Sequence, residues 1–192
     1  MNAAMILLLA LLISPTLAGG PTVKGDPKAL QEILAAFNRV NAAKTYRMKG
    51  TIGGAPLVVE AVMPDRYHTK VEWPDGKAFE TVRVGSEVRF QHDGQRWTCA
   101  PAPPLNFPST DLASLSDKII AAKGPVATID GIATQSYTYT YAGQGYTVKL
   151  YVAIAERLPK RMEVLDPTGA VESTFDYYDY GAPITIDLPA CT

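Results

Sequence analysis

Two histidines and a pair of aspartates are the side chains of this sequence that could carry acid–base chemistry. His68 is expected on the solvated face of a strand, and His92 lies in a turn. Neither has a serine or cysteine nucleophile at a recognisable spacing, and no Gly-x-Ser-x-Gly elbow occurs. Asp176 and Asp179 are three positions apart in a predicted strand, so their carboxylates point to opposite faces. We therefore expect no catalytic residues and no enzyme.

The two cysteines, Cys99 and Cys191, could bind a metal, stay as buried thiols or form a disulfide. A metal site needs convergent Cys, His and carboxylate ligands, and the histidines stand apart from each other in the sequence. Two cysteines in an exported domain favour one disulfide, and two unpaired buried thiols are the alternative. We predict the Cys99–Cys191 bridge, which would tie the end of the chain to the segment around Trp97. No metal or cofactor is expected.

Tyrosines are concentrated at two places in the C-terminal half of the sequence. The stretch SYTYTY puts three phenols on one face of a strand, and three more tyrosines follow near the end. One interpretation is that β-forming residues cover a half-exposed sheet face. The other is an amphipathic cavity rim, with rings inside and hydroxyls at the mouth. The six residues are Tyr137, Tyr139, Tyr141, Tyr177, Tyr178 and Tyr180.

The amino-acid composition is typical of an ordinary globular domain. The chain has 192 residues, of which 47% are hydrophobic, with 18 basic and 19 acidic side chains. That length suffices for one domain with a sizeable core or a cavity. The net charge of −1 and the absence of a Lys/Arg cluster argue against nucleic acid as a partner.

The first residues have the pattern of an export signal. Met5–Ile13 is an apolar run too short to span a bilayer, and the small residues Thr16 and Ala18 precede Gly19 as a cleavage site. An uncleaved anchor and a buried helix are the alternatives. We expect residues 1–18 to be a signal peptide, 19–26 a linker and 27–192 a single domain. Since no cysteine follows the signal, no lipid is attached there, and the protein is periplasmic or secreted.

Two segments have helical periodicity. The first begins with Asp26 as cap and Pro27 at the first helical position. Its apolar residues recur at 3.6-residue spacing, at Leu30, Ile33, Leu34, Phe37 and Val40. The second, residues 111–123, is predicted to end at Gly124-Pro125. One side of that second helix would present Leu112, Leu115, Ile119 and Ile120.

Almost everything else alternates between apolar and polar residues. We predict about ten or eleven antiparallel strands, because links as short as the turn at 73–76 cannot make parallel crossovers. A sheet of that size curls as its twist accumulates from strand to strand. The predicted fold class is therefore α+β: a strongly curved antiparallel β-sheet, an open half-barrel, covered on its concave side by α-helices.

The predicted strands carry a series of family motifs. YVAIAERLPKRMEV has an aromatic start, a polar turn and a Leu-Pro-x-Arg step, through Tyr151, Leu158, Pro159 and Arg161. The chain closes on a second pattern, which predicts a last strand, through Tyr180, Gly181, Pro183, Ile184, Ile186 and Pro189. With MPDRYHTKVE and VGSEVRF…DGQRW upstream, their order resembles the LolA/LolB-like superfamily of periplasmic lipoprotein carriers. Relatives include the LppX/LprG lipid-transfer lipoproteins and the N-terminal domain of the RseB regulator. The family usually has an aspartate near the turn, where this chain has Ala153.

The resemblance implies a non-enzymatic carrier with an apolar cavity for acyl chains. LolA-type carriers also use an arginine on an early strand to hold the lid shut, and Arg47 and Arg66 lie in that region. Each methylene moved from water into such a cavity contributes about 0.8 kcal/mol, and methionine adapts to variable chains. A packed core would explain the same apolar positions by periodicity alone. The predicted lining, with the second helix as lid, is Met48, Leu57, Val59, Tyr67, Val71, Phe90, Trp97, Leu115, Ile119, Val148, Leu150, Val152 and Met162.

These observations together predict an exported carrier or chaperone. It would bind acyl chains of lipoproteins or lipids in a hydrophobic half-barrel and transfer them across the cell envelope. Its partners would be those acyl chains and donor or acceptor proteins of the envelope, and the protein itself would be a monomer. Two alternatives remain: an RseB-like module that senses lipid or protein, and a structural envelope domain without a ligand.

Overall fold

A computed structural model of the protein describes residues 25–102, 119–141 and 145–191. These residues form one helix, α1 (Pro27–Ala43), and one sheet of eleven strands. The strands are β1 (Thr45–Ile52), β2 (Ala55–Val62), β3 (Arg66–Glu72), β4 (Ala78–Val84), β5 (Glu87–His92), β6 (Thr98–Pro101), β7 (Ile119–Ile129), β8 (Ile132–Tyr141), β9 (Thr147–Ala153), β10 (Pro159–Leu165) and β11 (Val171–Tyr178).

The sheet consists of two meanders that meet in the middle. Its strand order is β6-β5-β4-β3-β2-β1-β11-β10-β9-β8-β7, and the neighbours are antiparallel. Short turns connect neighbouring strands of each meander in the described ranges, as where Asp130 and Gly131, both at positive φ, join β7 to β8. Within the described ranges β6 and β7 are edge strands that do not pair with each other. The predicted strand number, antiparallel pairing and open sheet are confirmed.

Alternation along the strands gives the sheet two different faces. On the helix face, Ile33 of α1 belongs to one buried core with Leu57, Leu150 and Phe175 of the sheet. The opposite side, the tail face, carries charged residues of β1–β5 and is crossed by residues 182–191. Most of the hydrophobic core therefore lies between α1 and the helix face.

Helix α1 forms as the sequence predicts. The side chain of Asp26 accepts a hydrogen bond from the backbone N–H of Lys28 at 2.9 Å, and Pro27 is the first helical residue. Its inward side buries Ala29, Ile33, Ala36 and Val40, while the predicted Leu30, Leu34 and Phe37 are partly buried. No helix within the described ranges is long and apolar enough to cross a membrane.

The predicted second helix is wrong where the structure describes it. Residues 119–123 belong to strand β7, while Leu112 and Leu115 lie outside the described residues. Ile119 is 2% exposed and Ile120 is 44% exposed. Their side chains therefore point to opposite faces of the sheet, as successive residues of a strand do. Pairing with the tyrosine-rich strand β8 outweighs the helix preference of the alanines and lysine, because local propensity yields to tertiary contacts.

The Gly124-Pro125 step does not end an element but forms an irregularity inside β7. The pairing register with β8 shifts between Lys123 and Val126. Side chains of β8 take over the freed carbonyls: Gln135 Nε2 donates to Gly124 O at 2.5 Å, and Ser136 Oγ donates to Pro125 O at 2.6 Å. A proline without an N–H is tolerated here since β7 is an edge strand.

The C-terminal residues do not form the expected last strand. β11 ends at Tyr178, and within residues 179–191 no strand is found. The reason is that β11 already has neighbours on both sides, so the chain must leave the sheet. It crosses the tail face instead, where Arg66 Nη1 donates to Ile186 O at 3.1 Å and Ile186 is 4% exposed. The predicted disulfide is confirmed: Cys99 of β6 is joined to Cys191, with Cα atoms 6.0 Å apart.

Removing this disulfide should destabilise the fold. The bridge closes a sequence separation of 92 residues. We expect the variant Cys99→Ser/Cys191→Ser to have a free energy of unfolding lower by about 2 to 4 kcal/mol, because its unfolded chain is no longer constrained. Urea denaturation without reductant measures the difference.

Reduced wild-type protein is the control and should match the double variant. Alkylation of denatured, unreduced protein should leave its mass unchanged. Uptake of two alkyl groups would contradict the bridge.

Candidate functional site

The structure brings the predicted lining residues of the strands to one face. Residues that pair directly across a ladder point to the same side. Met48 pairs with Val59 and Leu57 with Val71, while Met162 pairs with Leu150. Leu115 lies outside the described residues, and Trp97 is half-buried in the link before β6. The helix face carries the others, namely Met48, Leu57, Val59, Tyr67, Val71, Phe90, Ile119, Val148, Leu150, Val152 and Met162.

Helix α1 fills one half of this face. It packs mainly over β7, β1 and β10. Beneath it, Val148 is 5%, Leu150 is 0% and Met162 is 6% exposed. These positions of the predicted lining therefore pack the helix onto the sheet, as in the alternative interpretation of a core.

The other half is an aromatic zone, which we define as Tyr67, Thr69, Phe79, Thr81 and Phe90 on the helix face of β3–β5. All five side chains are half-buried. The rings of Phe79 and Phe90 are 6.4 Å apart, centroid to centroid. In the described part of the chain α1 is the only helix, and the C-terminal tail lies on the opposite face. The zone is continuous with the core, because Thr69 pairs with the buried Val59.

A cluster of tyrosines borders the aromatic zone. The ring of Tyr46 is 5.8 Å from Tyr177 and 6.2 Å from Tyr180. Burial raises the pKa of Tyr46 to about 12, and burial also raises the pKa values of Tyr67, Tyr177 and Tyr180. These phenols stay uncharged at neutral pH, so they contribute apolar rings with hydrogen-bonding tips. The hydroxyl of Tyr180, for example, donates to Pro159 O at 2.8 Å.

Two of the SYTYTY tyrosines have a different place from the predicted one. Tyr137 and Tyr139 are 5% and 4% exposed on the helix face, so they are neither a half-exposed surface nor a rim. The hydroxyl of Tyr137 donates to Glu32 Oε2 at 2.8 Å, and Lys123 Nζ donates to the same oxygen at 2.8 Å. This contact fastens α1 to β7 and β8. Sequence reasoning missed it, because Glu32 stands on the polar side of the helix pattern and its partners are about a hundred residues away.

The same contact changes the ionisation of both partners. Hydrogen bonds from Lys123 and then Tyr137 lower the pKa of Glu32. The pKa of Tyr137 is raised, mainly by burial and further by its bond to the Glu32 carboxylate. Both directions favour a charged Glu32 and a neutral Tyr137 at neutral pH.

The two arginines considered for a lid contact lie on the tail face. Arg47 Nε donates to Glu60 Oε1 at 2.8 Å, and its Nη1 donates to Asp179 Oδ2 at 3.0 Å. Arg66 holds the carbonyl of Ile186 in the tail. Arg47 therefore joins β1 to β2 and to Asp179, and Arg66 joins β3 to the tail, both on the side away from α1.

The histidines have structural contacts. His68 is not simply solvated, because its Nε2 lies 2.6 Å from Glu80 Oε1 on the tail face. His92 ends β5, and its ring lies 4.7 Å from that of Phe79. Among the described residues no group of three metal-ligating side chains occurs.

Comparisons with known proteins identify distant structural likenesses. No family model matches the chain, and no curated protein matches it. Among solved structures, "Crystal structure of MucB" has 15% identity and a TM-score of 0.46, and covers 86% of this chain and 64% of that one. A putative outer membrane lipoprotein-sorting protein domain from Vibrio parahaemolyticus has 13% identity and a TM-score of 0.39, with 78% and 89% coverage. The LolA superfamily protein NE2245 from Nitrosomonas europaea has 10% identity and a TM-score of 0.35, with 79% and 92% coverage.

One of these structures is a LolA superfamily protein, and the sequence motifs resemble that group. The chain spans 64% of the length of the MucB structure. At such identities and TM-scores the likeness concerns the course of the chain and says nothing about a ligand.

Neutralising Glu32 should loosen α1 in a pH-dependent way. We expect the free energy of unfolding of Glu32→Gln to be lower than that of wild type by about 1 kcal/mol at neutral pH, since a partly exposed charged contact is lost. Because the folded-state pKa of Glu32 is lowered, its stabilisation is complete above the ordinary value of 4.5 and is lost as the pH falls further. Urea denaturation between pH 7 and pH 3 gives both curves.

The exposed Glu172 of β11 offers a matched control. Glu172→Gln should change stability little at any pH. A Glu32→Gln difference that stayed constant down to pH 3 would rule out the carboxylate as its source.

Proposed function

We propose that this protein is an exported carrier that binds an acyl chain of a lipid or lipoprotein on its helix face. The aromatic zone is the observation that supports this most. It continues the buried core as a half-buried apolar surface, and α1 packs mainly on the other half of the sheet. A surface of this kind lowers its free energy when a hydrocarbon covers it.

The free energies agree with reversible binding. About ten methylenes removed from water contribute about 8 kcal/mol. Immobilising the ligand and ordering its chain offset a large part of this gain. What remains is suited to a ligand that is taken up and later passed on.

The ligand contacts we propose are fewer than the sequence indicated. Tyr67 and Phe90 of the aromatic zone would touch the chain, with Met48 and Val59 at its border. A flexible thioether suits variable chains, which gives Met48 a role at that border. The buried side chains of β9 and β10 form the platform that holds α1.

Export is part of the proposal. The disulfide between Cys99 and Cys191 is typical of an oxidising compartment such as the periplasm or the cell exterior. We assign residues 1–18 as a cleaved signal, 19–26 as a linker and 27–192 as one domain. The partners would be acyl chains together with donor and acceptor proteins of the envelope.

A charge in the aromatic zone should abolish acyl binding. Phe90→Asp leaves a half-buried position folded but places a carboxylate beside the hydrocarbon, so affinity for a fluorescent long-chain fatty acid should fall at least about tenfold. Titration by fluorescence measures the affinity, and native mass spectrometry of gently extracted protein should show co-purified lipid. Val58→Asp is the matched control, because Val58 is 45% exposed on the tail face.

Three outcomes separate the functions. If wild-type protein carries no lipid and does not bind the fatty acid, the structural envelope domain is the function that remains. Equal loss in both variants would place the ligand elsewhere. If lipid binds, crosslinking distinguishes a carrier, which captures lipoproteins or envelope transfer partners, from a sensor, which captures a signalling membrane protein.

A further inference from the structure

Two threonines face each other in the middle of the aromatic zone. Thr69 of β3 pairs directly with Thr81 of β4. Their neighbours in the same row are Val59 of β2 and Phe90 of β5. A hydroxyl pair is thus enclosed between apolar side chains on the helix face.

Neither hydroxyl is used by the protein. Within the described residues, the side chains of Thr69 and Thr81 make no hydrogen bond, although both are half-buried. Two other enclosed threonines bond to the chain instead: Thr134 Oγ1 donates to Ala127 O at 3.0 Å, and Thr45 Oγ1 donates to Ala182 O at 2.7 Å. The free donors of the aromatic zone are therefore available to a molecule from outside.

The rows on either side of the pair differ in polarity. Two residues along in one direction, the buried Val71 pairs with Phe79. Two residues along in the other direction, Tyr67 pairs with Arg83. Each step is about 6.6 Å along the strand. Along β3 and β4 the surface thus changes from apolar to hydroxyl to cationic, with His92 of β5 beside Phe79 and Val88 beside Arg83. This is the order of hydrocarbon, acyl linkage and headgroup in a lipid.

From this arrangement we propose that Thr69 and Thr81 determine ligand specificity by donating hydrogen bonds to two adjacent ester carbonyls of a diacylglyceryl group. Residues opposite each other in an antiparallel pair have Cβ atoms about 5 Å apart, which suits esters on neighbouring glycerol carbons. The acyl chains extend over Val71 and Phe79, and the headgroup points towards Tyr67 and Arg83. This inference rests on the proposed acyl-binding function and adds the chemistry of the ligand.

A pair of lipids that differ only in the carbonyls tests it. Dioctanoylglycerol has two ester carbonyls, and its dioctyl ether analogue has none. Wild-type protein should bind the ester about tenfold more tightly, since two neutral hydrogen bonds that each contribute a net factor of about three together give about ten. In Thr69→Val/Thr81→Val, affinity for the ester should fall to that for the ether, while affinity for the ether stays unchanged.

A second threonine pair supplies the control. Thr140 and Thr147 face each other on the tail face, and both are half-buried. Thr140→Val/Thr147→Val should keep the full preference for the ester. Wild-type protein that binds both lipids equally, or a Thr69→Val/Thr81→Val variant that keeps the preference, would overturn this inference alone. Failure of wild type to bind either lipid would overturn the proposed function as well.

The same variants identify the source of the diacylglyceryl group. The probes are a phospholipid with short acyl chains and a peptide whose cysteine carries a diacylglyceryl group. The threonine substitutions should weaken both, because both have the esters. Tighter binding of the peptide would identify lipoproteins as the source, and tighter binding of the phospholipid would identify free lipid.

Discussion

The pairing of β1 with β11 is the contact on which the rest of the structure depends. It joins an N-terminal meander to a C-terminal one, so that β1 and β11 both have neighbours on either side and neither is an edge strand. Gly50 makes the close approach possible: a Cβ there would collide with the carbonyl of Thr174 and lie 2.9 Å from the ring of Phe175. Phe175, 1% exposed, then lies in the core beneath α1. A single small residue thus sets where the two meanders and the helix meet.

The course of the C-terminal tail follows from this central pairing. Because β11 is in the middle of the sheet, the chain after it must cross one face to reach an edge, and it crosses the tail face towards Cys99. Along the tail, Ile184, Ile186 and Leu188 are more buried than the residues between them. The tail therefore adds apolar contacts to one side of the sheet, and the aromatic zone remains on the other side.

The sequence predicted features that depend on neighbouring residues. Strand alternation assigned Met48, Val71 and Met162 to one face, and a cap with 3.6-residue periodicity located α1. The errors come from long-range contacts. The segment at 119–123 suits either a helix or a strand, and pairing with β8 decides it. Likewise, Ile184–Ile186 alternates as a strand would, but no sheet edge is free beside β11.

Under the proposed function, the helix face is divided between stability and binding. Side chains beneath α1 are almost fully buried, so that half contributes most to the folding free energy. A binding surface has to stay accessible, which leaves apolar rings partly in water and reduces stability. The aromatic zone limits this cost because Thr69 and Thr81 interrupt the rings Tyr67, Phe79 and Phe90 with hydroxyls. The contact of Glu32 with Lys123 and Tyr137 holds α1 on its own half, so the helix does not need the aromatic zone in order to dock.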